Sequence, residues 1–427
     1  MTSVAAFLIV TGFSGTLLQV NINPKTYGQL SVGKDDSMQE DQFDVVITGG
    51  GMVGAALACG LARHHFRVAV IEHQAAPEFT PQSQPDVRIS AIGASSVALL
   101  KELAVWERVQ AMRCAPYRQL ETWEWENAHA VFDAASLGLP ELGYMVENSV
   151  LQRALWEQMQ AQGVTLLCPA TLAAAESQPD GWSLTLDDGR KIHTRLLTGA
   201  DGANSQVRRL AGIGVSGWEY AQSCMLISVE CEQSPGDSTW QQFTPQGPRA
   251  FLPLFGNYAS LVWYDSAARI RQLSKLSMAQ LEQEIAAHFP ARCGKVRALT
   301  AGSFPLIRRH ASRYVRPGLA LVGDAAHTIN PLAGQGVNLG YRDVDVLIDV
   351  LAEARREGHD WWQLATLNKY QHKRYRDNLL MQNGMDLFYL AFSNRNAPLT
   401  VIRNLGLMAA QRGGWLKKKA LSYALGL

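Results

Sequence analysis

From Phe43 onward, short β-branched runs alternate with helical stretches. Phe43-Asp-Val-Val-Ile-Thr48 has the composition of a strand buried on both faces. Ala55-Ala-Leu-Ala-Cys-Gly-Leu-Ala62 is strongly helical, and Arg67-Val-Ala-Val-Ile71 reads as a second buried strand. Leu196-Leu-Thr-Gly-Ala-Asp201 predicts a strand entering a tight acidic turn, with a helix starting near Ser205. Leu319-Ala-Leu-Val322 predicts another buried strand, and an amphipathic helix follows through about Ala354. Residues 215–265 differ. Gln222–Cys231, Ser238–Phe243, Arg249–Leu254 and Tyr258–Tyr264 predict strands separated by Pro/Gly turns, hence an antiparallel insert. Pro253 inside one of them points to an edge or a bulge. The expected class is α/β.

Residues 1–42 stand apart. Met1 to Pro24 carries no charged side chain, yet no basic region precedes the apolar run Val4–Val10 as a secretory signal requires. Gly12, Ser14, Gly15, Gln19, Asn21 and Asn23 interrupt it well short of the ~20 apolar residues of a membrane span. We expect an extension outside the fold. Either the fold's own start is near Met38 and the upstream part is dispensable, or 1–37 is an anchor.

The 427 residues suffice for two or three domains, and 39 basic against 38 acidic side chains give a net charge of +1. A chain so balanced does not find nucleic acid by bulk electrostatics. The six cysteines form no C-x-x-C pair and the ten histidines show no metal spacing. The cysteines read as buried thiols in a reducing cytosol.

The first strand runs into Gly49-Gly-Gly51-Met-Val-Gly54, with a helix after it and Glu72 closing the second strand. This is the dinucleotide fingerprint in its required context. Gly49 permits the turn, Gly51 lets backbone approach a pyrophosphate, and Gly54 lets helix and strand pack closely. The helix N-terminus offers free N–H groups to phosphate. Glu72 would accept from ribose hydroxyls and repel a 2′-phosphate. The motif alone does not separate NAD from FAD.

Together with Asp201-Gly-Ala-Asn-Ser205-Gln-Val-Arg208 and Gly323-Asp324-Ala-Ala-His327, the fingerprint resembles the FAD-binding set of the para-hydroxybenzoate hydroxylase-like flavoprotein monooxygenases. Asp86-Val-Arg88-Ile-Ser-Ala-Ile92 and Gly334-Gln-Gly-Val-Asn-Leu-Gly340 resemble its ubiquinone-biosynthesis branch. Glu121–Glu126, Tyr144–Asn148 and Ser238–Pro245 resemble members that hydroxylate a demethoxyubiquinol. The resemblance implies a Rossmann-like FAD-binding domain over about 43–118, 145–215 and 300–355. A mostly antiparallel substrate sheet is interleaved over about 119–144 and 216–299, and 356–427 is helical. It also implies oxygen insertion from O2 into the ring of a prenylated quinol, with NAD(P)H as a transient electron donor. A flavin dehydrogenase, and a non-catalytic FAD-stabilised member of a quinone-biosynthesis complex, are the competing readings.

Several side chains keep two readings. Asp324 holds ribityl or ribose hydroxyls, or caps the following turn. Gly334 and Gly336 let backbone approach a flat ring. Asn338 adds a donor there, or is a surface cap. Asp201 resembles a pyrophosphate-side motif, and Arg208 either joins it or pairs with Asp201 to shape the site. Arg88 is by resemblance a phosphate or ribityl contact, otherwise a solvated arginine. His327 is a packed or capping histidine, with acid–base work the weaker alternative. Trp123-x-Trp125 continues Glu-Asn-Ala and lacks the halogenase pattern.

Residues 387–427 contain no Asp or Glu but six cations, Arg395, Arg403, Arg412, Lys417, Lys418 and Lys419, interleaved with apolar residues. This suits contact with anionic lipid or a lipid carrier, and equally a packed helix with a solvated basic face. The expected location is cytoplasmic, peripheral to the inner membrane.

Overall fold

A computed structural model of the chain describes residues 41–330, 336–392, 397–412 and 414. The expectations for 1–40, Gly334 and Lys417–Lys419 fall outside them. Strand β1 (Asp41–Thr48) begins two residues before the apolar run. It pairs in parallel with β2 (Val68–Ile71) on one side and Lys191–Gly199 on the other. Val45, Val46 and Ile47 are fully buried because β1 is internal to the sheet and helix α1 (Met52–Arg63) packs on it. Leu319–Leu321 extends the parallel set beyond Lys191–Gly199, and Thr165–Leu167 extends it beyond β2.

A second eight-stranded sheet contains the 17-residue strand Val215–Cys231. That strand pairs antiparallel with Tyr258–Ser266 and with Val296–Ala311. Arg249–Pro253 and Ser238–Gln242 continue it, and Gln119–Trp123 joins in parallel to Ser238–Gln242. Val296–Ala311 runs through residue 300, so residues expected to start a flavin-binding stretch lie in this sheet. Arg249–Pro253 is internal, with neighbours on both sides. Pro253 is its last residue, where a missing N–H costs the ladder least; it marks a strand end, not an edge or bulge. A small sheet of Ile89–Gly93, Ala115–Tyr117 and Gly143–Glu147 completes the strands that frame the site.

Four cysteines are buried, whereas Cys114 and Cys168 are half-buried. Helix Gly336–Arg356 packs beside α1, and helix Leu364–Phe392 packs on it in turn. Helix Ala397–Arg412 then docks on the turn around Trp125. Among the described residues no helix is long and apolar enough to cross a membrane.

Candidate functional site: a dinucleotide cleft

The loop between β1 and α1 is held by its glycines and by Glu72. Gly49 has φ +105°, and a Cβ there would lie 2.4 Å from the Ala200 carbonyl oxygen. A Cβ on Gly54 would lie 2.0 Å from the Gly49 oxygen, so both positions need glycine for close approach. Gly50 N–H donates to the buried Glu72 carboxylate at 2.6 Å, and Trp156 Nε1–H donates to the Gly50 carbonyl at 2.6 Å. Glu72 therefore clamps the loop. It also lines the cleft, where its remaining lone pairs suit ribose hydroxyls.

The cleft has a volume of about 660 Å³ and is lined by Gly49, Gly51, Glu72, Arg88 and Asp201 among others. Five residues picked from three separated segments thus meet in one place. Asp201 Oδ2 accepts from the Gln206 and Val207 N–H groups at 2.6 and 3.1 Å, while its buried Oδ1 has no partner. Thr48 Oγ1 on the same wall is also buried and unpartnered. Arg208 does not hydrogen-bond Asp201. Its guanidinium donates to the carbonyls of Ala325 and Ala203 at 2.8 and 2.9 Å, which ties the Asp201 turn to the Gly323–Ala325 turn.

The second turn is organised by a residue that the sequence reading overlooked. Asp343, fully buried on helix Gly336–Arg356, accepts from Gly323 N–H at 3.1 Å and lies 2.5 Å from His327 Nε2. It also accepts from Arg374 Nε at 2.9 Å and Asn378 Nδ2 at 3.0 Å. Burial pushes its pKa up, but His327, Arg374 and Asn378 outweigh this and bring it to about 2. The only sequence signal was a carboxylate on an otherwise apolar helix face. His327 is itself buried and engaged with Asp343.

Asp324 projects from this turn. The residue is exposed, while desolvation by the protein packed around it raises its pKa against the opposing effect of His327. The cap position of the Gly323–Ala325 turn is Val322, not Asp324. Asn338 is a buried joint. Its Oδ1 accepts from Gly93 N–H and Ser96 Oγ at 3.0 and 2.7 Å, and its Nδ2 donates to the Ala91 carbonyl at 2.8 Å. The amide expected to face a ring instead pins helix Gly336–Arg356 to the Ile89–Gly93 strand. Gly336 opens that helix, and a Cβ there would make only an ordinary contact with the Ile329 side chain at 4.0 Å.

The family model described as "FAD binding domain" matches residues 42–379. The chain belongs to this FAD-binding family. It is 66% identical over 391 residues to the 3-demethoxyubiquinol 3-hydroxylase of Escherichia coli K12, covering 91% of this chain and 100% of that protein. It is 38% identical to the ubiquinone hydroxylase UbiL of Rhodospirillum rubrum, covering 90% of this chain and 89% of that one. Among solved structures, p-nitrophenol 4-monooxygenase PnpA from Pseudomonas putida DLL-E4 superposes with TM-score 0.75 at 18% identity, covering 90% and 98% of the two chains. That last likeness concerns the fold alone.

The cleft fits the family's cofactor. A Cβ placed on Gly51 would meet nothing within 4 Å, so there is open space directly over the N-terminus of α1. The first N–H groups of that helix have no intrahelical acceptor and would suit a negatively charged ligand. Asp201 Oδ1 and Thr48 Oγ1 are the orphaned polar atoms that a polar ligand in the cleft would satisfy.

His310 adds a pH dependence. It is paired across strands with His327, and its Nδ1 lies 2.7 Å from Gln382 Oε1. Gln382 donates its amide to Arg309 and Thr328 carbonyls, so Nδ1 carries the proton and Nε2 is left buried without a partner. Burial first, then the neighbouring His327 and Arg308 charges, lower its pKa from 6.5 to about 4. The unfolded chain therefore binds the proton more readily. Stability falls as pH drops from 6.5 to about 4, by roughly 3 kcal/mol from this residue. Urea titrations across that range should show the loss. In His310→Gln the slope should flatten, and an unchanged slope would remove His310 as its source.

Proposed function

We propose that this chain is an FAD-dependent hydroxylase that inserts one oxygen atom from O2 into the ring of a prenylated demethoxyubiquinol. The identity of 66% to a 3-demethoxyubiquinol 3-hydroxylase over the whole of that protein carries the substrate assignment. The cleft geometry supports the cofactor. The residues 43–118, 145–215 and 300–355 are taken as the flavin-binding stretches, with the strand Val296–Ala311 shared between them and the substrate sheet.

When bound, reduced FAD supplies the O2 activation and oxygen transfer. The chain's own share is binding and orientation. The α1 N-terminus and Arg88 receive the pyrophosphate, Glu72 accepts from ribose hydroxyls, and Asp324 accepts from hydroxyls on the flavin side. Asp343 holds the Gly323–Asp324 turn through the Gly323 N–H. His327 acts in positioning, since its Nε2 is committed to Asp343. The Gly336 helix start leaves room for backbone to approach a flat ring. NAD(P)H is the proposed transient electron donor, and membership of a quinone-biosynthesis assembly is proposed on the same resemblance.

The deciding experiment is turnover of a demethoxyubiquinol with FAD, NADH and ¹⁸O2, followed by mass spectrometry. The product should carry one labelled oxygen. Oxidised quinone without label would make the chain a dehydrogenase on the same fold.

A further inference from the structure

Residues 72–88 join β2 to the Ile89–Gly93 strand without forming helix or strand. Both ends of this segment line the cleft, with Glu72, Gln74 and Pro77 at one and Arg88 at the other. Its middle does not reach the cleft wall and is gathered around Arg113, whose side chain is 9% exposed. Arg113 Nε and Nη2 donate to the two Glu147 carboxylate oxygens at 2.5 and 2.8 Å. Nη1 donates to the Ser83 and Pro81 carbonyls at 2.7 and 3.3 Å. Nη2 also donates to Ser83 Oγ at 3.0 Å and to the Gln84 carbonyl at 3.3 Å. The donors of this guanidinium are therefore all spent on the protein. The ring centres of Phe79 and Phe255 lie 5.1 and 4.3 Å from its Cζ. Carbonyls of a surface loop normally face water, yet here one buried side chain collects three of them.

The bonding continues to Arg88. Glu147 Oε1 also accepts from Asp86 N–H at 2.7 Å, and Asp86 Oδ1 accepts from Arg88 N–H at 3.3 Å. The Asp86 carbonyl accepts from Ser228 Oγ at 3.1 Å, and the Arg88 carbonyl from Asn148 N–H at 3.0 Å. Ser228 belongs to the long strand of the second sheet and Phe255 to one of its turns, so Arg113 sits where the cleft segment meets that sheet. The Arg88 backbone is held at both of its polar groups. Its guanidinium makes no hydrogen bond or ion pair among the described residues, and the residue is exposed on the cleft wall. We infer that Arg113 is a positioning residue for cofactor binding: through Glu147 and the 81–86 backbone it fixes the segment that presents the free Arg88 head to the cleft. This rests on the reading that Arg88 receives the FAD pyrophosphate. A lysine at 113 could not do the same work, because a point charge with three donors cannot serve Glu147 and the loop carbonyls together.

The test is a double-mutant cycle in FAD affinity, read by fluorescence titration of the full-length apoprotein. Wild type is compared with Arg88→Met, Arg113→Met and the double variant, each checked for folding by circular dichroism. Each single variant should bind FAD about tenfold more weakly or worse, the loss of one charge-assisted contact. The double variant should be no more than about twofold weaker than Arg88→Met, because Arg113 acts only through the Arg88 head. The salt dependence of the affinity should flatten alike in both single variants, since both lose the same contact between charges. A general loss of stability would not flatten it. Arg113→Lys keeps a cation beside Glu147 and drops most of the loop contacts. It should show the same coupling to Arg88 at smaller size, and it serves if Arg113→Met does not fold. An Arg113→Met protein that binds FAD like wild type would overturn the inference. Single losses that multiply in the double variant would also overturn it, and would leave the Arg88 assignment standing. Arg88→Met that binds FAD like wild type would instead remove Arg88 from the cofactor site, and the positioning role with it.

Discussion

Gly51→Val should purify folded and without flavin. Gly51 caps α1 with φ −69°, a backbone conformation open to any residue, and a Cβ there meets no protein atom within 4 Å. The fold has no reason to object. The added branch projects over the helix N-terminus, where the pyrophosphate must reach the free N–H groups. FAD affinity should drop at least about a hundredfold, equivalent to about 2.7 kcal/mol. Fluorescence titration of apoprotein with FAD measures it, and the apoprotein melting temperature should stay within a degree or two of wild type. A folded Gly51→Val protein that keeps its full complement of FAD would show that the cleft over α1 is not the cofactor site. Gly49→Val is the useful contrast, because its Cβ would collide with the Ala200 carbonyl and the apoprotein itself should be destabilised.

Asp343→Ala should be among the most damaging single changes outside the cleft. It removes four hydrogen-bond partners at once and leaves the Arg374 guanidinium, 6% exposed, without its main counter-charge. Breaking a buried pair from one side typically costs about 3–5 kcal/mol. Urea denaturation reads that loss. Asp343→Asn keeps the shape and one acceptor, so it should fold better. It should still bind FAD more weakly, because Gly323 N–H and His327 share Oδ2 while Arg374 and Asn378 share Oδ1, and a single amide oxygen cannot serve both pairs. That affinity, measured against an apoprotein control, separates holding the Asp324 turn from general stability. If Asp343→Asn binds FAD like wild type, the turn is held by other contacts. The pH behaviour follows from the sign of the shift. A carboxyl lowered to about 2 stabilises the fold fully above the unfolded carboxylate range. It loses that contribution only as pH falls from about 4 toward 2. Between pH 4 and 6.5 His310 contributes a slope that Asp343 does not, so the two variants should act on different parts of the profile.

Much of this protein was legible locally. The strand–loop–helix around Gly49, Gly51 and Gly54 could be read because its signal spans some thirty residues of contiguous sequence, with turn, helix and acid all in order. Glu72 was found at the end of β2 for the same reason. The strands of the antiparallel insert were found from alternation and turns, while their ends moved by up to seven residues, as with Val215. What sequence could not show was which side chains were already committed. Asn338 looks like a donor at the start of a helix, and only its distance to Gly93, Ser96 and Ala91 reveals that its amide is used by the protein. Arg208 sits one turn from Asp201 but points to Ala325, 117 positions away. Pro253 looks like an edge until both neighbouring strands are placed.

By itself, then, the sequence determined the α/β elements, the dinucleotide loop, and the family those motifs identify. Those properties depend on side-chain period and on backbone needs of single glycines, which are written within a few residues of one another. The tertiary structure alone decided the partners of Asp343, His327 and Asn338, and which side chains of the last two helices face inward. A buried carboxylate and an exposed leucine look the same in one dimension. Which of them is desolvated depends on partners 16 to 280 positions away, and only packing brings those partners together.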